Sequence, residues 1–386
     1  MRVLILGGDG YLGWPTAMYF SRKGHEVAVV DNFNKRKWEA EVDASPLIPL
    51  PSLQERIRIW KRLTGKKIQM FVGDLVHERF VARVFENFKP DAIIHYGEQP
   101  SAPFSMIGNE RAVETQVNNV VGNLNVIFSM KRSSPNAHLI KLGTMGEYGT
   151  PNIDIEEGWI TIRHKGRKDR LLFPKKPGSF YHLSKVHDSA NLEFACRIWN
   201  LRVTDLNQGV VYGIETEETQ MAPGLQTSFH YDDIFGTALN RFCVQAVAGL
   251  PITPYGKGGQ KRGFLNIVDT LRCVELATQN PAKKGEFRVF NQFTEVFSVN
   301  ELAEIVRDAA KKMGIDAKVK HVKNPRKEAE DHYYKPVHKE LLKLGLKPHK
   351  LSEVLVESMM AKIIEHKDNI EDEIIMPRVV WEKKKT

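Results

Sequence analysis

Tyr181 and Lys185 stand four residues apart in "SFYHLSKVHDSANLEFA" (179–195), a stretch patterned as a helix. Positions i and i+4 share a helix face, so the ammonium lies beside the phenol. A cation there favours the phenolate and is expected to lower the tyrosine pKa. Such a phenol can take a hydroxyl proton while hydride leaves the same carbon. A second set ends the apolar run in "HLIKLGTMGEYGTPN": the Thr144 hydroxyl, the Glu147 carboxylate and the Tyr148 phenol, with apolar Met145 among them. Alone, a Tyr-x-x-x-Lys spacing also arises by chance, so its weight depends on what surrounds it.

The surrounding elements are legible. Six short runs rich in Val, Ile and Leu read as buried strands: "RVLILG" (2–7), "EVAVVD" (26–31), "KIQMFVGD" (67–74), "DAIIHYGE" (91–98), "HLIKLGT" (138–144) and "RVTDLNQG" (202–209). Helix-patterned stretches such as "ERFVARVFENF" lie between most of them. This alternation predicts an α/β fold, a Rossmann-type doubly wound parallel sheet with helices on both faces. Ligands on such sheets bind at the carboxyl ends of the strands. The stretches "GGDG", "DN", "GD", "GEQPS", "GTMGE" and "NQG" should therefore line one crevice.

Two inserts interrupt the pattern. Residues 38–66 hold "SPLIPLP" and an amphipathic helix, "LQERIRIWKRL"; residues 151–178 hold "WITIRHKGRKDRLLF", which alternates like a β-hairpin around Lys-Gly-Arg-Lys. From about residue 215 the alternation loosens into short strands ("ITPYG", "FLNIVD", "EFRVFNQ", "AKVKHV") and helices. The expected organisation is a 1–214 dinucleotide-binding domain and a 215–386 stretch forming mainly a smaller C-terminal α/β substrate lobe, with some segments returning to the main domain. The tail "MPRVVWEKKKT" reads as partly disordered.

Gly7, Gly10 and Gly13 in "GGDGYLG" sit between a strand and a helix, the arrangement that admits a pyrophosphate at a helix N-terminus. Asp9, Tyr11 and Leu12 fill the same turn. Asp31 ends the next strand, where a carboxylate binds a ribose 2′-hydroxyl and repels a 2′-phosphate, favouring NAD over NADP. Asn32 follows it, and nearby Lys35 and Arg36 weaken that preference. Asp74 can hold the adenine amine or form an ordinary turn, with Leu75 beside it. With an NAD nicotinamide close by, Tyr181 and Lys185 would touch the cofactor too.

The chain has 386 residues, 42% hydrophobic and 27% charged, an ordinary globular composition. No run of roughly 18 apolar residues exists, so no membrane span is expected. "MRVLIL" leads straight into the glycine motif, so no targeting segment is expected, and a prokaryotic cytoplasm fits. The scattered cysteines Cys196, Cys243 and Cys273 read as buried thiols in a reducing compartment. The net charge of +9 is spread along the chain without an aromatic-basic signature, so nucleic acid is not the expected partner; a diphosphate substrate or small anion is. No metal site is expected.

Together these motifs resemble the extended short-chain dehydrogenase/reductase enzymes acting on nucleotide sugars, the epimerases and 4,6-dehydratases. Longer strings carry a finer resemblance over nearly the whole chain, to the UDP-sulfoquinovose synthases: "LGTMGEYGTPNIDIEEG", "FYHLSKVHDS", "DLNQGVVYG", "FGTALNRFCVQA", "YGKGGQ", "RVFNQFTE" and "NPRKEAE". Dehydratases carry Thr-Asp-Glu at the strand end, where this chain reads Thr144-Met145-Gly146. Pro100 stands where the family pattern has Arg before "SAP".

The resemblance implies that UDP-glucose and sulfite are joined through a 4-keto-5,6-ene, with NAD recycled and a carbon–sulfur bond formed. The enzyme class it implies is that of the hydrolases acting on carbon–sulfur bonds. Tyr181 would be the base, Lys185 its helper and Thr144 the hydroxyl partner at O4. Glu147, ahead of His182, would move protons at C5 and C6. Met145 would keep water from the C6 region, though simple packing explains it as well. Gln99, Asn207 and Gln208 are expected to reach the sugar or phosphate, and Gln260, Arg262 and Arg326 the diphosphate. Asn118, on "ERAVETQVNNVVGNLNVIFSMKR", matches a family position in the active-site network, and that helix resembles the one through which these enzymes form homodimers. The basic insert could attract sulfite or a sulfite-donating protein, although a solvated hairpin explains it as simply. The rival readings are a UDP-sugar 4-epimerase or 4,6-dehydratase, and a non-catalytic NAD sensor or RNA binder on the same fold.

Overall fold

The structure is a computed structural model describing residues 1–329 and 333–381. Seven parallel strands form the main sheet: β1 (Arg2–Leu6), β2 (Glu26–Asp31), β3 (Ile68–Val72), β4 (Ala92–His95), β5 (His138–Thr144), β8 (Arg202–Gln208) and β11 (Phe287–Gln292). Their order is β11-β8-β5-β4-β1-β2-β3. The direction of strand succession reverses between β1 and β4, which opens a crevice at their carboxyl ends. Alternate residues feed two cores. Val3, Ile5, Val29, Ile94 and Ile140 pack on one face of the sheet, while Leu4, Leu6, Val30, Ile93 and Leu139 pack on the other. Burial on both faces explains the near-continuous apolar runs.

Helices α1 (Gly13–Arg22), α2 (Asn34–Glu41), α3 (Leu53–Thr64), α4 (Glu78–Phe88), α5 (Asn109–Gln116), α6 (Gly122–Ser133) and α7 (Phe180–Trp199) fill the connections in this half. α5 and α6 join through a π-turn at Val117–Val121, which turns Asn118 toward the crevice and Asn119 inward. The insert at 151–178 forms an isolated antiparallel hairpin, β6 (Trp159–His164) and β7 (Arg167–Leu172), as its alternation predicts.

The expected lobe boundaries change in detail. "EFRVFNQ" becomes β11, the seventh strand of the main sheet, because it pairs in parallel with β8 along its whole length. The smaller sheet consists of β9 (Val210–Tyr212), β10 (Lys261–Asn266) and β12 (Glu295–Ser298). "FLNIVD" stops as a strand at Asn266, whose side chain caps the next helix by accepting from Val268 N at 2.8 Å. "ITPYG" and "AKVKHV" contribute only isolated bridges, Ile252 to Val319 and Tyr255 to Val322. The smaller core packs the helices Ala238–Ala248, Val299–Lys312 and Glu353–Ile364 together. The tail reaches back as far as Trp381, whose N–H donates to Pro325 O at 3.0 Å; residues 382–386, where the composition suggests disorder, lie outside the described residues.

Candidate active site

One cavity of about 1070 Å³ follows the crevice from the glycine turn to the end of β5 and on to the smaller lobe. Gly7 adopts φ 86°, and a Cβ there would lie 2.7 Å from the Tyr96 carbonyl carbon. A Cβ on Gly13 would run into Gly7 O, whereas one on Gly10 would meet only Gly7 O at 3.5 Å. Gly7 and Gly13 therefore close the turn against the sheet, while Gly10 exposes backbone to the cavity. The start of α1 at Leu12 and Gly13 faces the same space, the positive end of a helix dipole suited to a pyrophosphate.

Asp31 lies beside that turn, accepting from Asp9 N at 2.8 Å and Phe33 N at 2.7 Å. Burial pushes its carboxyl up to about 6. Asn32 donates to Asp74 Oδ2 at 2.9 Å, and Val76 N donates to Asp74 Oδ1 at 3.0 Å. Asp74 thus forms a turn and also faces the cavity. Tyr11, Leu12, Leu75 and Asn118 also line the space. Arg36 forks onto Asp9, Nε to Oδ2 at 2.6 Å and Nη2 to Oδ1 at 3.1 Å. Fully buried Arg56, from the 38–66 insert, binds Asp9 as well and lies over the Trp14 ring. Sequence reasoning missed Arg56; its mark is an arginine on the apolar face of an amphipathic helix. Lys35 is drawn aside into a cluster with Glu39 (2.7 Å) and His230 (3.1 Å).

At the other end, Ser179 caps α7 by accepting from His182 N at 3.2 Å, which aims the first turn at the β5 terminus. Lys185 donates to Leu142 O at 2.8 Å and lies 2.5 Å from Glu98 Oε2. Its Nζ is 5.8 Å from the Tyr181 ring centroid. The Tyr181 pKa is raised, not lowered as its neighbour suggests, because burial outweighs the opposing pull of Lys185. Thr144 faces the cavity and accepts from Gly146 N at 3.1 Å. Met145 lines the cavity and packs with Tyr148, Ile155, Phe173 and Phe293. His182 lines it too, its Nδ1 3.0 Å from Ser179 Oγ. Burial and the charges of Arg326 and Arg262 push its pKa down to about 3, so the ring is neutral.

Glu147 does not suit the expected role. It is fully buried and absent from the cavity wall. Its carboxylate accepts from Thr144 N (3.2 Å), Lys141 Nζ (3.3 Å) and Lys175 Nζ (2.5 Å), with Ser189 Oγ 3.0 Å away. Burial alone would raise its pKa, but Lys141 and Lys175 bring it to about 2. Three further expectations change. Gln99 folds back on Ser101, donating to Ser101 O at 3.2 Å and accepting from Ser101 N at 2.9 Å. Asn207 points behind β8 to Tyr148 OH at 2.7 Å, while Gln208, next along the strand, faces the cavity and donates to Gln292 Oε1 at 3.1 Å. Gln260 donates to Tyr255 O at 3.3 Å inside its own loop. Arg262 and Arg326 both line the cavity, with Glu328 ion-paired to Arg262. Of the basic insert, Lys175 turns inward to Glu147, and none of residues 159–172 lines the cavity.

The model described as the NAD dependent epimerase/dehydratase family matches residues 3–291. UDP-sulfoquinovose synthase, chloroplastic, of Spinacia oleracea is 56% identical over 382 residues, covering 99% of this chain and 79% of that protein. UDP-sulfoquinovose synthase of Sulfolobus acidocaldarius is 43% identical over 386 residues, covering 99% and 98%. The chain belongs to the NAD dependent epimerase/dehydratase family, among its UDP-sulfoquinovose synthases. The UDP-glucose 4-epimerase of Thermotoga maritima, solved with UDP-glucose, shares the fold, with a TM-score of 0.70 at 19% identity over 95% of this chain and 99% of that one.

The cofactor is NAD, as in that family, and the residues present fit it: an exposed glycine backbone, a helix N-terminus facing the cavity and a carboxylate at the end of β2. Among the described residues no helix is long and apolar enough to cross a membrane, and no group of three or more His, Cys, Asp or Glu could hold a metal.

Proposed function

We propose that this enzyme makes UDP-sulfoquinovose from UDP-glucose and sulfite. The observation that carries the reading is the end of β5. Thr144 and Tyr181 face the cavity there, Met145-Gly146 replaces the dehydratase acid, and Glu147 is turned away into a buried ion cluster. No β5-end carboxylate remains to protonate a departing C6 hydroxyl and complete an ordinary 4,6-dehydration.

The glycine turn and Asp31 would hold NAD, with Lys185 beside Tyr181 at the nicotinamide end, and the bound cofactor supplies reversible hydride acceptance at C4. Thr144 would hydrogen-bond O4 while Tyr181 takes its proton. The ketone so formed acidifies C5–H. Neutral His182 is the base we assign to C5 and the donor to the C6 hydroxyl as it leaves, in place of Glu147. Met145 in the cavity wall, backed by Tyr148 and Phe173, would limit water near the enone, leaving C6 to sulfite. Arg262 and Arg326 suit the diphosphate through paired donors, with Glu328 as Arg262's counter-ion before substrate arrives. One water is released overall, so the forward reaction is a synthesis, not a hydrolysis.

Mass spectrometry of protein incubated with UDP-glucose and NAD⁺, with and without sulfite, tests this reading. A UDP-hexose sulfonate forming only with sulfite is expected. UDP-galactose or a stable 4-keto-6-deoxy sugar would instead support the epimerase or dehydratase, a reading that rests on more distant likeness.

A homodimer is supported by exposed apolar side chains along α5 to α7, including Val113, Val117, Val121, Phe128, Phe194 and Ile198. Sedimentation as a monomer at micromolar concentration would contradict it. Three buried unpaired thiols suit the reducing cytoplasm, although the spinach relative is named chloroplastic. Free sulfite is the simplest source of sulfur, and a sulfite-donating protein is the alternative that the basic hairpin leaves open.

A further inference from the structure

Behind the β5 terminus, sealed from the cavity except at Glu98, three ammonium groups meet four carboxylates. Lys141 lies 3.3 Å from Glu147 and 3.6 Å from Asp205, Lys175 lies 2.5 Å from Glu147, and Lys185 lies 2.5 Å from Glu98. The fourth carboxylate is Asp188, one turn beyond Lys185 on α7 and fully buried. His95, 3.7 Å from Glu98, adds no charge, because burial pushes its pKa down to about 4.

An excess negative charge in such a sealed place is expensive, and a proton is the simplest way to remove it. Geometry says where that proton sits. Glu147 accepts from Thr144 N, Lys141 and Lys175, and Asp205 takes the single Ser189 hydroxyl hydrogen at 2.6 Å. Neither Asp188 oxygen meets a donor. All four carboxyl oxygens of Asp188 and Glu98 are buried without a hydrogen-bond partner around the Lys185 that ion-pairs with Glu98. The two carboxyls face each other, acceptor to acceptor, so they bind only through a hydrogen between them.

We propose that Glu98 and Asp188 share one proton and act as a positioning pair for Lys185, limiting the negative charge beside it to one while Tyr181 works as base. Burial together with the Glu98 charge raises the Asp188 pKa well above the usual range, while Lys185 holds Glu98 below its own. The sign of the effect on Tyr181 follows. Loss of the shared proton at high pH adds a negative charge next to Lys185, strengthens its hold on the ammonium and makes the Tyr181 phenolate harder to form. The O4 proton stays on Tyr181 between the two hydride steps, so the pair neither gains nor loses a proton in turnover.

Infrared spectroscopy of the full-length wild type, with and without ¹³C-labelled aspartate, tests the shared proton directly. A carboxylic-acid carbonyl band at neutral pH that shifts with the label and disappears in Asp188→Asn is expected. Absence of any aspartic-acid band from the wild type would overturn the proposal, as would a band that survives in Asp188→Asn. If Asp188→Asn fails to fold, Glu98→Gln takes its place and must shift the wild-type band. The pH profile of kcat is the second arm. The alkaline fall should flatten in Asp188→Asn, which has no proton to lose, and an unchanged profile would reject the link to Lys185. Only this arm rests on the reading of Tyr181 as base, so a failure of that reading leaves the infrared result standing.

Discussion

Tyr181→Phe is expected to lower kcat about 10³-fold, the middle of the range for a positioned general base. NAD affinity should change little, because the glycine turn, Asp9, Asp31 and Asn32 all lie at the other end of the cavity and touch neither Tyr181 nor its helix. The reason for so large an effect is that Tyr181 alone combines three properties: it lines the cavity, it has an ammonium on its own helix face, and that ammonium is pinned by Leu142 O and Glu98. Burial raises the resting pKa of the phenol, so the enzyme depends on Lys185 and the cationic nicotinamide to bring it back when substrate and cofactor are bound. Steady-state kinetics with NAD titrated separately checks this. Activity of Tyr181→Phe within about tenfold of the parent would transfer the base role elsewhere.

Replacing Glu147 has a large effect of a different kind. Glu147→Ala leaves Lys141 and Lys175 facing a cavity in the core, and the loss of one member of a buried ion cluster typically costs about 3–5 kcal/mol. Thermal unfolding should show it as a clear fall in Tm. Glu147→Gln keeps the shape and the hydrogen bond from Thr144 N, so its kcat should stay within about tenfold of the parent, well inside the span of a lost general base. A kcat loss of about 10³-fold in folded Glu147→Gln would restore Glu147 as the C5 base. The pH dependence carries the same signature. The folded-state pKa of about 2 lies below the ordinary carboxylate value, so the stabilisation is present above about pH 4 and is lost as pH falls toward 2. Denaturant unfolding across that window should be flatter in Glu147→Gln.

What is legible in the chain divides along a physical line. The glycine turn, Asp31 and the Tyr181/Lys185 pair follow from spacing within one or two elements; the glycines, Asp31 and Tyr181 reach the cavity, and Lys185 lies behind Tyr181 on Leu142 O and Glu98. The parallel sheet that holds β1 to β5 and β8 follows from alternation of apolar runs with helices. The side a polar residue faces is a different matter. Asn207 and Gln208 are adjacent on β8 and point opposite ways, so only one of them can meet a ligand. Glu147 reads as a catalytic acid from its place at a strand end, but the tight turn at Met145 folds it back under Thr144. Gln99 and Gln260 satisfy their own loops.

The groups that escape a sequence reading are charges hidden in apolar patterns. Lys141 interrupts "HLIKLGT", a strand buried along most of its length, and a lysine there signals a buried partner. Arg56 carries the same message on α3. Asp9 for Arg56 and Asp205 for Lys141 lie far off in sequence, and the nearer partner of Lys141, Glu147, is brought to it only by the turn at Met145. β11 reads as part of the smaller lobe because an isolated strand pattern does not say which sheet it will join.

The most direct test of elimination followed by addition is an NMR spectrum of the sulfonated product made from UDP-glucose in D₂O. The account predicts ordinary hydrogen at C4, returned as the hydride that left, and deuterium at C5, delivered from solvent after sulfite adds to the enone. Hydrogen retained at C5 would mean that sulfite displaces the C6 oxygen directly, and it would contradict the roles of His182 as the C5 base and of the C4 ketone as the group that acidifies C5–H.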